Sequence, residues 1–243
     1  MGSFFAGVKA GTLGGFLYVG GTAVFNVILL YALQPDVMKF IQGNYDSVCT
    51  TGVPVNATNS VQSCFASVIA VDVPYIAFVA FFIVLAYAGI FGILYDSIPG
   101  LSTFFKGEAF AALAGFNLVI FGFSAYFFDT PSSVASGIFM AAWTGVFGYV
   151  LGRLYKRYTR LVSVASQDPA LLKVMVDGRD LTGKTRTFAL TSSHKVRAEV
   201  AEDASFREWE TTGGVSVEDS RSFETVVEVN GEGTLKGAVT RKY

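Results

Sequence analysis

The chain has 243 residues, 52% hydrophobic and 15% charged, with a formal net charge of −1. Soluble domains carry roughly a quarter of their residues as charges, so the composition excludes an ordinary soluble protein; the neutral balance excludes the dense positive footprint that nucleic acid requires. The deficit is local: residues 1–160 hold seven Lys/Arg and six Asp/Glu, residues 161–243 eleven and thirteen, a lipid-compatible stretch followed by a water-soluble one.

A helix crossing a bilayer needs about 20 mostly apolar residues. The first such stretch, 8–33, is too long for a signal peptide and lacks its layout, so it reads as a retained first span. The loop at 34–64 holds Cys49 and Cys64, the two cysteines of the chain. Sharing one loop suits a disulfide in an oxidising compartment. Asn56-Ala57-Thr58 in the same loop is an N-glycosylation acceptor pattern. Residues 65–72 read as an interfacial lead-in, because Asp72 and Pro74 interrupt the apolar run. Further spans are expected at 73–95, 108–128 and 135–155, giving a four-helix α-helical membrane bundle over 1–160.

Flanking cations prefer the cytoplasm. Lys9, Lys106, Arg153, Lys156, Arg157 and Arg160 fall on one side and Lys39 on the other, which predicts cytoplasmic termini. The halves of the bundle also resemble each other. Ser3-Phe4-Phe5-Ala6-Gly7 aligns without a gap with Thr103-Phe104-Phe105-Lys106-Gly107, and Gly15 then meets Gly115. Ala86-Tyr87-Ala88-Gly89-Ile90-Phe91-Gly92 aligns with Ala142-Trp143-Thr144-Gly145-Val146-Phe147-Gly148. Two copies of one helical hairpin in the same orientation are related by an axis along the membrane normal.

Lipid tails are as apolar as leucine, so small residues that let backbones approach hold such helices together. Gly11 and Gly15 serve span 1, Ala88, Gly89 and Gly92 span 2, Ala111 and Gly115 span 3. Gly137, Ala141, Gly145, Gly148 and Gly152 serve span 4, where a dimer seam is the alternative reading. Asp72, Asp96, Glu108 and Asp129 are placed at the membrane edges. Asn117 is the amide nearest the middle of a span, with Thr144 and Ser124 as lesser polar neighbours. That inventory argues against transport.

Leu161 to Pro169 reads as a connector. From 170 to 243 the apolar period becomes two, the mark of half-buried strands. Val174 in Leu172-Val176, Phe188 with Leu190, and Val196, Ala198 and Val200 are expected core. Thr225, Val227 and Val229 follow, then Leu235, Gly237 and Val239. Asp177-Gly178 and Asn230-Gly231 mark turns, and Gly213-Gly214 is read as another. Trp209 is the expected centre of the core, with Phe206 out of phase with it, either ahead of its strand or at a bulge. Such short strands at regular spacing predict a small antiparallel sandwich.

Phe206-x-x-Trp209, Gly213-Gly214, the Asp219-Ser220 turn and the ending Gly231-Glu232-Gly233-Thr234-Leu235-Lys236-Gly237-Ala238-Val239 carry a resemblance. Residues 170–243 resemble the immunoglobulin-like β repeats, related to internalin B-type repeats, of archaeal and bacterial surface proteins. The resemblance implies an adhesive or structural module without catalytic residues. Its members lie outside the cell, whereas the charge count places this domain inside. Through Tyr95-Asp96-Ser97-Ile98-Pro99-Gly100, the membrane half resembles small, Gly-rich archaeal membrane proteins of unassigned function.

The one histidine, His194, reads as an exposed turn residue. Neither a His/Cys set for zinc nor a phosphate-binding glycine motif between strand and helix is present, so no cofactor, metal or catalytic residue is expected. The function that follows is a non-enzymatic multi-pass membrane protein displaying an immunoglobulin-like module. Its partners would be the bilayer and either a protein or further copies of the chain. The alternative is a small channel or transporter with a regulatory β domain.

Overall fold

The computed structural model describes residues 3–46, 49, 60–98, 102–113 and 130–242. Helices α1 (Phe4–Ala32), α2 (Gln34–Gly43), α3 (Val61–Ser67), α4 (Val73–Leu94), α5 (Thr103–Leu113) and α6 (Thr130–Tyr158) precede seven strands. Among the described residues, two helical runs are long and apolar enough to cross a membrane, Phe4–Ala32 and Val61–Leu94. Four were expected. Most of the third, 108–128, lies outside the described residues, and the fourth, 135–155, falls within α6.

The expected break before span 2 is absent. Asp72 and Pro74 do not end the helix; α3 passes into α4 through a π turn at Val68–Asp72, where the Val73 N–H bonds to the Val68 carbonyl. Pro74 offers no N–H and its ring crowds the carbonyl four residues back. One wider turn just ahead of it keeps the helix continuous.

Contacts divide the chain into two units, Met1–Lys9 with Gly89–Ile98 and Leu154–Tyr243, and Ala10–Ala88 with Pro99–Arg153. In the second unit, α2 starts with a proline in its first turn and buries Val37 and Ile41. These pack with Cys49, Cys64 and Phe65. Cys49 and Cys64 form a disulfide with Cα atoms 5.8 Å apart, inside the usual bridging range.

The first unit contains the β domain: β1 (Thr159–Ser166), β2 (Leu172–Val176), β3 (Arg179–Asp180), β4 (Lys184–Ala189), β5 (Ser192–Val200), β6 (Ala204–Val217) and β7 (Glu224–Arg241). They form one curled mixed sheet in the order β3-β2-β5-β7-β1-β4, with β6 also paired to β7. This differs from the expected antiparallel sandwich in two ways. The stretch read as a connector contains β1, which follows α6 directly and pairs parallel to β7. Nor is there a turn at Asn230-Gly231: β7 runs on through it for 18 residues. Its first half pairs with β5 and its second with β1, while β6 accompanies it on the other edge.

Glycine explains the continuation. Gly213-Gly214 is no turn but an irregularity inside β6, with a register shift between Gly213 and Val215. Gly213 has φ +67°, and a Cβ there would meet the backbone of Glu232 and Gly233. A bulge of this kind bends and twists a strand pair, which lets one long hairpin curl over a core. A second shift, between Phe206 and Glu208, is the bulge that brings Phe206 and Trp209, three residues apart and so of opposite strand parity, onto the same core.

The core contains Val174, Phe188 and Ala198, with Val162 and Val164 from β1 and Leu235 from β7. Trp209 is 3% exposed; its ring lies 4.9 Å from that of Phe206. Its indole N–H donates to the Ser222 carbonyl at 2.9 Å, so burial leaves no polar atom of the ring unsatisfied.

Candidate functional site

Within the first unit, three helix ends come together, and two of them are hydrogen-bonded to the sheet. Tyr155, in the last turn of α6, is fully buried. Its hydroxyl accepts from the Ser3 amide at 2.9 Å and donates to the Gly92 carbonyl at 3.1 Å. The Ser3 amide is one of the donors that the start of a helix leaves unpaired, and Ser3 Oγ caps the same turn by accepting from Ala6 N. The rings of Phe91 and Tyr95 pack on Tyr155 at 5.5 and 4.4 Å. Gly92 permits this approach, since a Cβ there would strike Ser3 and Gly7 backbone.

Asp96 stands just past the end of α4, where the helix dipole disfavours a carboxylate. It accepts from the Thr187 hydroxyl at 2.8 Å and the Thr187 amide at 3.4 Å. Thr187 is buried in β4. The final residue of α6 is used likewise: the Leu190 amide, following β4, donates to the Tyr158 carbonyl at 2.9 Å. Strand β4 is thereby hydrogen-bonded to the ends of two helices.

A second cluster corrects the reading of His194 as an exposed turn residue. It lies within β5, and its ring meets Phe188 edge-on at 4.9 Å. Its Nδ1 is 2.7 Å from Asp177 Oδ2 and its Nε2 is 2.8 Å from Ser192 Oγ, while Asp177 Oδ1 accepts from the Lys195 amide. The order matches a nucleophile, base and acid. The Ser192 hydroxyl also donates to the Ala189 carbonyl at 2.6 Å. These contacts join the 189–192 turn, where Thr191 has φ 57°, to the Asp177-Gly178 turn.

In the second unit, α5 and α6 meet through glycine. A Cβ on Gly107 would strike Gly148 backbone, and one on Gly152 would strike Thr103. Gly7 and Gly92, which the sequence alignment sets against Gly107 and Gly148, approach in the same way. Gly11 faces Ala88, and Gly15 faces Val84 and Phe81. The copies differ one turn further along. Gly89 is covered by the Phe4 ring, whereas its counterpart Gly145 is covered by the carboxylate of Glu108. Sequence reasoning placed Glu108 at an edge and missed this. The available signal was the repeat itself, which aligns Glu108 with apolar Val8. Elsewhere in the unit the Tyr18 hydroxyl shares a hydrogen bond with Thr144 Oγ1 at 3.2 Å, and the Trp143 indole donates to the Tyr18 carbonyl.

Asn56 and Gly115 lie outside the described residues, and Gly137 and Ala141 fall within α6. Among the described residues no group of His, Cys, Asp and Glu is assembled that could hold a metal ion. On the sheet surface, hydrogen bonds from Thr182 hold the Asp180 carboxyl below its usual range, and Lys236 does the same for Glu210. Comparison of the chain with protein-family models, curated proteins and solved structures finds no match.

Proposed function

We propose that the chain is a non-enzymatic, four-span membrane protein with cytoplasmic termini that holds its β domain for binding a protein partner or another copy of itself. The observation that carries this reading is the pair of hydrogen bonds from Thr187 to Asp96, together with the passage of α6 into β1 without a linker. A module meant to search freely would sit on a flexible tether. This one is tied to helix ends within its own unit, which suits a binding surface that does not trail on a linker. The resemblance to immunoglobulin-like repeats supports a binding role, while the parallel β1–β7 pair departs from an all-antiparallel sandwich.

The charge bias of the flanking cations supports the orientation. A cysteine at exposed Arg179 should react with an impermeant maleimide only after the membrane is permeabilised; labelling in intact cells would reverse the topology. For the function, full-length protein and a 1–160 truncation are compared in nanodiscs by native mass spectrometry. The reading expects a stoichiometric complex or oligomer that needs the β domain. A monomer in both samples, with solute uptake into liposomes, would replace it with the second reading.

That second reading, a small channel or transporter regulated by the β domain, is favoured by one observation: the Glu108 carboxylate lies against Gly145. Ionisable residues within spans mark ion or proton pathways, and Glu108 opens the expected third span.

A further inference from the structure

One face of α6 changes chemistry along its length. Ala142, Val146, Tyr149, Arg153, Lys156 and Arg157 follow at spacings of three and four, so they share one side of the helix. All six are exposed. The opposite side is packed: Leu151 and Tyr155 are buried, and Gly152 lies against Thr103. The exposed face is apolar as far as Val146, amphipathic at Tyr149 and cationic from Arg153 onward. That order matches the acyl region, the interface and the headgroups of a leaflet, with tyrosine at the boundary. Arg153 reaches back along this face: its Nη1 donates to the Tyr149 hydroxyl at 2.6 Å, and its Cζ lies 6.0 Å from the ring centroid. The stem then covers apolar surface while the charge stays at the interface.

The positive charge of this end is not balanced along the chain, since no Asp or Glu occurs between Asp129 and Asp168. The last carbonyls of a helix carry partial negative charge that would repel an anion. Arg160 takes them up: its Nη1 donates to the carbonyls of Lys156, Arg157 and Thr159 at 3.3, 3.2 and 2.7 Å. Lys156 and Arg157 thus present their charge from a helix end that is already capped. The repeat singles out the same stretch. Its alignment sets Val150 against Leu94, where α4 ends, whereas α6 runs eight residues further to Tyr158. Arg153, Lys156 and Arg157 all belong to that extension and have no counterpart in α4.

Resting on the reading of α6 as a membrane span, we propose that Arg153, Lys156 and Arg157 form a binding face for the headgroups of anionic phospholipids, continuous with the acyl-facing side chains beside it. The test uses full-length Val146→Cys protein carrying bimane on the introduced cysteine, with the Cys49–Cys64 bridge left oxidised. It is reconstituted in vesicles of phosphatidylcholine and phosphatidylglycerol, and the acyl chains of one lipid or the other are brominated to quench bimane beside them. Phosphatidylglycerol should occupy this face at least about fivefold more strongly than phosphatidylcholine, the worth of a single Lys or Arg beside an anionic surface. Raised salt should remove the preference by screening the charges. The Arg153→Gln/Lys156→Gln/Arg157→Gln variant should lose it while quenching by phosphatidylcholine stays as in wild type, which shows the helix still inserted. Lys156→Gln and Arg157→Gln singly should each lower it. Equal quenching by the two lipids would overturn the site and leave the span standing. Quenching by neither would show that Val146 does not face acyl chains, and would overturn the span with the site. A preference that survives the triple substitution would place the anionic lipid on other residues and overturn the proposal.

Discussion

Asp96 and Thr187, 91 residues apart, are joined twice, the carboxylate accepting from both the hydroxyl and the amide of the threonine. Thr187→Val keeps the shape and the amide but removes the shorter bond from a buried position. A hydrogen bond to a charged group contributes at most about 1.5–3 kcal/mol, and this carboxylate is only partly buried. Hydrogen exchange should therefore quicken at β4 and at 95–98 while the core around Trp209 stays protected. Unchanged exchange at both would show that the bond contributes nothing to holding the sheet.

Tyr155→Phe tests the other junction. The hydroxyl is the partner of both the Ser3 amide and the Gly92 carbonyl, so its loss removes both bonds. We expect a lower thermal midpoint in detergent and earlier proteolytic cleavage near the N-terminus. Tyr155→Leu should be worse, because the Phe91 and Tyr95 ring contacts go as well.

Reduction of the Cys49–Cys64 bridge releases a loop of 15 residues, a constraint of about 3 kcal/mol in the chain-entropy account. Alkylation of the two thiols should require prior reduction, and the Cys49→Ser/Cys64→Ser variant should melt lower than the oxidised wild type. Alkylation without reductant would show that the bridge is not formed.

The β domain should fold from residue 159 but not from residue 170. Strand β1 pairs with both β4 and β7, and a fragment lacking it leaves β4 without a partner and exposes the β7 edge. Circular dichroism should show a cooperative melt for 159–243 and none for 170–243. In the longer fragment Trp209→Ala should cost ~3–5 kcal/mol, a large share of the ~5–15 kcal/mol that holds a domain together. A midpoint within a few degrees of wild type would move Trp209 out of the core.

Local pattern carried much of this protein. Apolar length marked α1 and the run into α4, and a period of two marked the inward faces at Leu172, Val174 and Val176 and at Val227 and Val229. Apolar length and period depend on each residue's own neighbours, so one chain suffices to read them. The out-of-phase pair Phe206 and Trp209 left two options, Phe206 ahead of its strand or at a bulge, and the pairing of β6 decides for the bulge. Partners distant in sequence decided the rest. Asn230-Gly231 has the chemistry of a turn, but β6 runs opposite it with its own glycines, and the pair bends instead of ending. Val162 and Val164 look like linker residues until β7 lies alongside them. His194 gains its partners from two separate turns. Glu108 stands where hydropathy puts a membrane edge, and only the close approach of Gly107 to Gly148 carries its carboxylate over Gly145. Backbone pairing and glycine contact act across the chain, and no window along the sequence contains both sides of them.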